Sequence, residues 1–192
     1  DFFTDLEYFA MASVSFSTVI PAVFGTAELL STLGWIERFR RGPKILVDTR
    51  RVAAIFVAGF GMLALMLAWP LYFFPFAWVS VFCILDPLNY ALGNRSLTRY
   101  AASGEWRPVI ALSAGCLVCR FFWEMWNFFS YPKWVYQVPF VNFLHVFEMP
   151  LLGFGGYVPF ALELFALYHL AMGLFRNGAA RSFLQLVPES SD

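Results

Sequence analysis

The sequence predicts an all-α membrane protein, a single transmembrane helix bundle over residues 1–192 with about five spans and one re-entrant or interfacial segment. Apolar residues make up 60% of the chain and charged residues only 14%, against roughly 25% charged in an average soluble domain. So few charges cannot form a hydrophilic shell around a soluble core. The apolar residues also lie in runs of about 20, the length that crosses a hydrocarbon layer roughly 30 Å thick.

Five apolar runs are long enough to cross the bilayer. The first is the weakest prediction, because Pro21 interrupts it and serine and threonine are frequent. The second and third are joined by a short stretch with Pro70 and Pro75, residues that favour a turn. The predicted spans cover residues 8–36, 52–70, 74–92, 108–129 and 157–175.

The stretch 134–156 is apolar but too broken for a regular lipid-facing helix, because it contains Pro139, Pro150, Gly153, Gly155 and Gly156. Irregular backbone is tolerated at membrane depth only where protein or a watery cavity covers it. We therefore expect a re-entrant or interfacial segment here.

Basic residues concentrate in the loops on one side of the predicted bundle. By the positive-inside rule these loops are cytoplasmic, which places the N-terminus outside, the C-terminus in the cytoplasm and the protein in a bacterial cytoplasmic membrane. The basic residues used are Arg38, Arg40, Arg41, Lys44, Arg50, Arg51, Arg95, Arg99, Arg107, Arg176 and Arg181. The opposite side holds Lys133 and the acidic residues Asp1, Asp5 and Glu7.

Several ionisable residues fall inside the predicted membrane segments. Each costs about 2.5–3.5 kcal/mol at the centre of a membrane helix, so each must be paired, protonated or hydrated. They are Glu28, Asp86, Arg120, Glu124, Glu148 and Glu163.

One face of the fourth span collects polar side chains at helical spacing. We expect this face to point into the bundle, with an ion pair between Arg120 and Glu124, which are four residues apart. Its members are Ser113, Cys116, Arg120, Glu124, Asn127 and Tyr131. On the third span, Asp86 and Asn89 offer an acceptor and a donor on one face. Such groups serve either a ligand or interhelical hydrogen bonds.

The working hypothesis is a buried carboxylate and amide site. Glu124 and Glu163 would share a proton as acid-base residues, because closely spaced buried carboxylates raise one another's pKa. Glu148 would close the site. The predicted binding residues are Asn127, Arg120, His145, Asp86, Asn89 and Glu28, with His145 in an outer cluster and Glu28 and Asp86 in the cytoplasmic half.

Metal and haem sites are not predicted. Cys116 and Cys119 have CxxC spacing, but they lie among apolar residues and lack a second cysteine pair. His145 and His169, the two histidines, lack the spacing of a bis-histidine haem site within one helix. The sequence leaves the cofactor unknown.

Several short sequence motifs resemble those of known proteins. Residues 122–127 (FWEMWN), 147–153 (FEMPLLG) and 159–163 (PFALE) resemble a family of uncharacterised bacterial polytopic membrane proteins, over roughly residues 70–170. A looser likeness is to membrane enzymes of the heterodimeric lycopene cyclase type. Those enzymes carry adjacent acidic residues, whereas Glu148 and Glu163 are each single here.

Three functions stay open at this point. The chain binds or acts on a lipid-soluble molecule such as a lipid or isoprenoid, or it belongs to a proton, ion or small-molecule transporter, or it is an accessory subunit of a larger membrane complex. The expected partners are the lipid bilayer and either further copies of the chain or other membrane subunits. A zero formal net charge gives no reason to expect nucleic acid.

Overall fold

A computed structural model describes residues 4–136, 138, 141–175, 184 and 186, and 75% of the described part is helical, with almost no strand. The predictions on Asp1, Arg176 and Arg181, and on Pro139, lie outside the described residues. The α-helices are α1 (Asp5–Ser31), α2 (Thr49–Ala68), α3 (Pro70–Phe73), α4 (Phe76–Ala91), α5 (Leu97–Ser103), α6 (Arg107–Phe129) and α7 (Tyr157–Phe175). Two 3-10 helices (Gly34–Phe39 and Leu151–Gly156) and two strands, β1 (His145–Val146) and β2 (Met149–Pro150), complete the described elements.

Four of the described helical segments are long and apolar enough to cross a membrane: Asp5–Ser31, Thr49–Ala68, Arg107–Phe129 and Leu151–Phe175. This confirms the prediction of a helical membrane protein. Helix α4 has only 16 residues, about 24 Å at 1.5 Å per residue. Its short length leaves the predicted count of five spans unconfirmed.

Helix α1 begins at a capping box, in which the Thr4 and Glu7 side chains bond to each other's backbone N–H groups. It continues through Pro21 without a break, so the interruption expected there does not occur. The predicted end at Ile36 is wrong, because the helix stops at Ser31 and the backbone turns extended at Leu33 before a 3-10 helix begins.

The long helices do not pack in chain order. The main contacts join α2 to α4, α4 to α7, α7 to α6 and α6 to α1. Helix α7 therefore lies between two pairs, one formed by α2 and α4 and the other by α1 and α6. The apolar core lies mainly where α1, α6 and α7 meet, around Val23, Leu112 and Phe165.

Small residues allow close approach within both pairs. A Cβ added to Gly115 of α6 would lie 2.8 Å from the Ala27 backbone nitrogen of α1. A Cβ added to Gly59 of α2 would lie 3.0 Å from the Ser80 carbonyl oxygen of α4. Contacts between small residues are a common means of packing helices in membranes.

The segment between α6 and α7 is irregular in its described part. Strands β1 and β2 pair as a short antiparallel ladder, and the Leu151–Gly156 3-10 helix leads directly into α7. Several large apolar side chains here are exposed, including Trp134, Leu144 and Leu152. The segment is broken as predicted, whereas its re-entry into the membrane stays a prediction.

Candidate functional site

A buried ion pair lies on α6, where the sequence predicted one. The Arg120 guanidinium contacts the Glu124 carboxylate one turn further along the helix. The Glu124 side chain is 1% exposed and that of Arg120 is 15% exposed. Because the partners are on consecutive turns of one helix, the geometry follows from their spacing of four residues.

Two tyrosine rings enclose the arginine. The guanidinium carbon lies 4.2 Å from the centre of the Tyr157 ring, which begins α7, and 5.6 Å from that of Tyr136. Arg120 also donates a hydrogen bond of 2.5 Å to the Tyr136 hydroxyl. The "α6 centre" is defined here as Arg120, Glu124, Tyr136 and Tyr157. It brings together α6, the start of α7 and the irregular segment.

Asn127 holds the irregular segment against α6. Its amide nitrogen donates to the Trp134 carbonyl oxygen at 2.8 Å, and its carbonyl oxygen accepts from the Trp134 N–H at 2.7 Å. Asn127 was predicted to orient a ligand. Its amide instead makes two bonds to the chain itself, and these bring Tyr136, two residues later, towards the α6 centre.

Four buried side-chain atoms in the described part of the chain make no hydrogen bond: Arg120 Nε, both Glu124 carboxylate oxygens and Glu163 Oε2. Of these atoms, Glu124 Oε1 is contacted by Arg120 Nη2 in the ion pair. An unsatisfied buried polar group costs about 1–3 kcal/mol, and more when it is charged. Arg120 Nε and Glu124 Oε2 therefore mark one place in the described bundle where an additional hydrogen-bonding group would be favourable, and Glu163 Oε2 marks another.

No protein-family model, curated protein or solved structure matches this chain. The resemblances drawn from its short phrases therefore gain no support, and the site is interpreted from its own residues.

Glu163 lies away from the α6 centre. It is one turn after Phe160, whose ring packs 5.0 Å from that of Trp78 on α4. It is also one turn before Ala166, whose carbonyl accepts a hydrogen bond from Asn89 of α4 at 2.7 Å. Glu163 lies about 120° around α7 from Tyr157 at 3.6 residues per turn, and therefore on a different face of the helix.

The proton-sharing pair of Glu124 and Glu163 stays a prediction. The ion partner of Glu124 is Arg120, and Glu163 lies on a different face of α7 from Tyr157. Side chains three or four residues apart can be paired from sequence, whereas contact between α6 and α7 depends on how each helix is rotated.

Two members of the predicted outer cluster, Glu148 and His145, have partners outside that cluster. Glu148 forms an ion pair with Lys133, with 2.5 Å between Oε1 and Nζ. The exposed His145 ring lies 3.2 Å from the Asn142 carbonyl oxygen. Both residues bond within the irregular segment, and the closing role of Glu148 stays a prediction.

Asp86 and Asn89 serve the packing of α4. The fully buried Asp86 carboxylate accepts bonds from the N–H groups of Leu97 and Thr98 at 2.7 and 2.8 Å, and from the Thr98 hydroxyl at 2.6 Å. It therefore caps the start of α5, where a negative charge is favourable. Asn89 bonds to α7 and accepts from the Asn94 amide at 3.0 Å. The structure places both residues as structural links.

Glu28 lies on α1 next to Ala27, which packs against Gly115 of α6. It is therefore level with residues near Gly115, more than one turn along α6 from Arg120. The helix-facing thiol of Cys119 lies within 3.2 Å of the Thr26 hydroxyl oxygen and donates to the Ala22 carbonyl. The CxxC pair thus contributes to the packing of α1 on α6.

Sequence reasoning missed Tyr136 and Tyr157. Burial raises the pKa of the Tyr136 hydroxyl, although the nearby Arg120 charge acts in the opposite direction. The Tyr136 hydroxyl is therefore protonated near pH 7, so it can accept one hydrogen bond and donate another. The sequence does place Tyr157 at the predicted start of the fifth span. Tyrosine is common at membrane interfaces, so this position does not by itself indicate a functional site.

Proposed function

We propose that this chain is a five-span membrane protein whose α6 centre binds the polar group of a lipid-soluble or amphipathic small molecule. The observation that supports it is that Arg120 Nε and Glu124 Oε2, the atoms outside the ion-pair contact, are buried and make no hydrogen bond within the described residues. Nε of Arg120 is a donor and the Glu124 carboxylate oxygens are acceptors, so a hydroxyl group, which both accepts and donates, would satisfy the two.

The surroundings favour a ligand with an apolar body. Phe121 follows Arg120 directly on α6 and is 44% exposed, and its ring packs 5.4 Å from that of Phe147 in the irregular segment. In a bilayer these rings contact acyl chains or an apolar ligand. Because Arg120 and Glu124 neutralise each other, we expect a neutral polar group on the ligand.

The five-span arrangement is supported by the packing of α4. Gly59 near the middle of α2 lies against Ser80 and Cys83 near the middle of α4, as expected for an antiparallel pair in which both helices cross. Five crossings put the N-terminus outside and the basic loops in the cytoplasm. The location in a bacterial cytoplasmic membrane rests on these loops alone.

The test is to purify the protein in a mild detergent and to identify co-purifying small molecules by mass spectrometry of an organic extract. We expect the wild type to carry a hydroxyl-bearing apolar compound and Glu124→Gln to lose it. Glu148→Gln is the matched control, because it removes the same charge from an ion pair outside the α6 centre and should retain the compound.

Folding must be separated from binding. Removing one partner of a buried ion pair costs about 3–5 kcal/mol, whereas replacing both with apolar residues is often neutral. The double variant Arg120→Met/Glu124→Leu should therefore stay folded and carry no compound. A wild type that carries only bulk membrane lipid, or a folded double variant that keeps the compound, would contradict the proposal.

A second candidate is a proton-conducting subunit. It is favoured by the buried Glu163 oxygen that makes no hydrogen bond within the described residues, because intramembrane carboxyls serve as proton relays. Proton flux into liposomes that falls in Glu163→Gln and not in Glu124→Gln would favour this reading over ligand binding.

A further inference from the structure

The loop between α1 and α2 is held in a fixed shape by the turn between α5 and α6. Gly42 N–H donates to the Gly104 carbonyl oxygen at 2.8 Å, and Ile45 N–H donates to that of Ala101 at 3.1 Å. The Trp106 indole donates to the Pro43 carbonyl oxygen at 2.9 Å.

The acidic residues of this region are already paired. Glu37 and Glu105 both bind the buried Arg107, each at 2.7 Å. Asp48 accepts from the Arg51 N–H as the N-cap of α2, and its carboxylate also pairs with the Arg51 side chain. None of these carboxylates is left to neutralise the remaining basic residues of the loop.

Five further basic residues of the loop are exposed and make no ion pair within the described part of the chain. They are Arg38, Arg40, Arg41, Lys44 and Arg50, which we call the basic loop residues. Between them lie exposed apolar side chains, Ile45 at 48% and Leu46 at 73%. Basic and apolar side chains side by side at the end of membrane helices suit the headgroup layer of a bilayer.

We propose that the basic loop residues form a binding surface for anionic phospholipid headgroups, with Ile45 and Leu46 inserted among the upper acyl carbons. Charge complementarity supports lipid phosphate as the occupant, because each basic residue near an anionic surface contributes to its attraction. The exposed apolar pair favours a lipid surface over an acidic soluble protein. The fixed loop presents these side chains without a large ordering cost.

The test uses wild-type protein in phosphatidylcholine liposomes with trace spin-labelled phosphatidylglycerol or phosphatidylcholine. Electron paramagnetic resonance gives the association constant of the first lipid relative to the second. We expect a several-fold preference for phosphatidylglycerol, which falls to about one in Arg38→Gln/Arg40→Gln/Arg41→Gln and in high salt. The Lys triple variant at the same positions keeps the charge and should keep the preference.

Equal thermal unfolding midpoints of the Gln and Lys variants in pure phosphatidylcholine will show that both are folded. A wild-type ratio of about one, or a Gln variant with the wild-type ratio, would overturn the proposal. An acidic protein that binds this loop in the absence of any phosphatidylglycerol preference would overturn it in favour of protein docking.

Discussion

Asp86→Asn should strongly destabilise the protein, because the Asp86 carboxylate is fully buried and accepts three hydrogen bonds at the start of α5. The amide keeps one acceptor oxygen and turns an NH₂ group towards a backbone N–H. At least one bond to a charged acceptor is then lost, at about 1.5–3 kcal/mol, and a donor is left unsatisfied. We expect a loss on the order of 2–4 kcal/mol in the free energy of unfolding.

The assay is unfolding of the purified protein in detergent by titration with SDS, followed by circular dichroism. Thr98→Val removes only the hydroxyl bond to Asp86 and should cost about 1–2 kcal/mol. The matched control is Asp48→Asn, which alters an N-cap carboxylate that is 58% exposed and should cost less than about 1 kcal/mol. If Asp86→Asn were no more destabilising than Asp48→Asn, the carboxylate would not be holding α4 to α5.

Two further perturbations address helix packing and the irregular segment. Asn127→Ala should remove both hydrogen bonds to Trp134 and lower the free energy of unfolding by about 2 kcal/mol. It should also speed amide hydrogen exchange at residues 130–136. Unchanged exchange there would show that other contacts hold the segment. Gly115→Ala should destabilise the protein by about 1–3 kcal/mol, because its Cβ would meet the Ala27 backbone. Gly61 lies in open space, so Gly61→Ala should stabilise the protein by up to about 1 kcal/mol. Thermal unfolding of the two variants measures this difference, and equal effects would contradict the close approach of α1 and α6.

Local sequence patterns predicted the parts of this structure that depend on one helix. The bounds of α7 match the predicted span 157–175, and the Arg120–Glu124 pair needs only a spacing of four residues. The sequence did not reveal that Asp86 caps α5. Two of its partners are backbone N–H groups, which almost every residue carries, so no side-chain pattern marks them.

The arrangement of the site could not be predicted because it depends on helix order. Tyr157 contacts Arg120 because α7 packs beside α6. Tyr136 reaches Arg120 because Asn127 fixes the segment that follows α6. The same rotation of α7 places Glu163 on a different face of the helix from Tyr157. Periodicity shows which side chains share a face, and it does not show which neighbour that face meets.

The position of α7 between the two helix pairs has a consequence for biosynthesis. A chain made from its N-terminus inserts α2 and α4 close together in time, so these helices can pair early. Helix α1 must wait for α6, whose contacting residues are translated about 90 positions later, as the Thr26–Cys119 contact shows. The two pairs gain their main shared partner only when α7 enters the bilayer. Until then the two pairs lack the helix that joins them, and Arg120 lacks the Tyr157 ring.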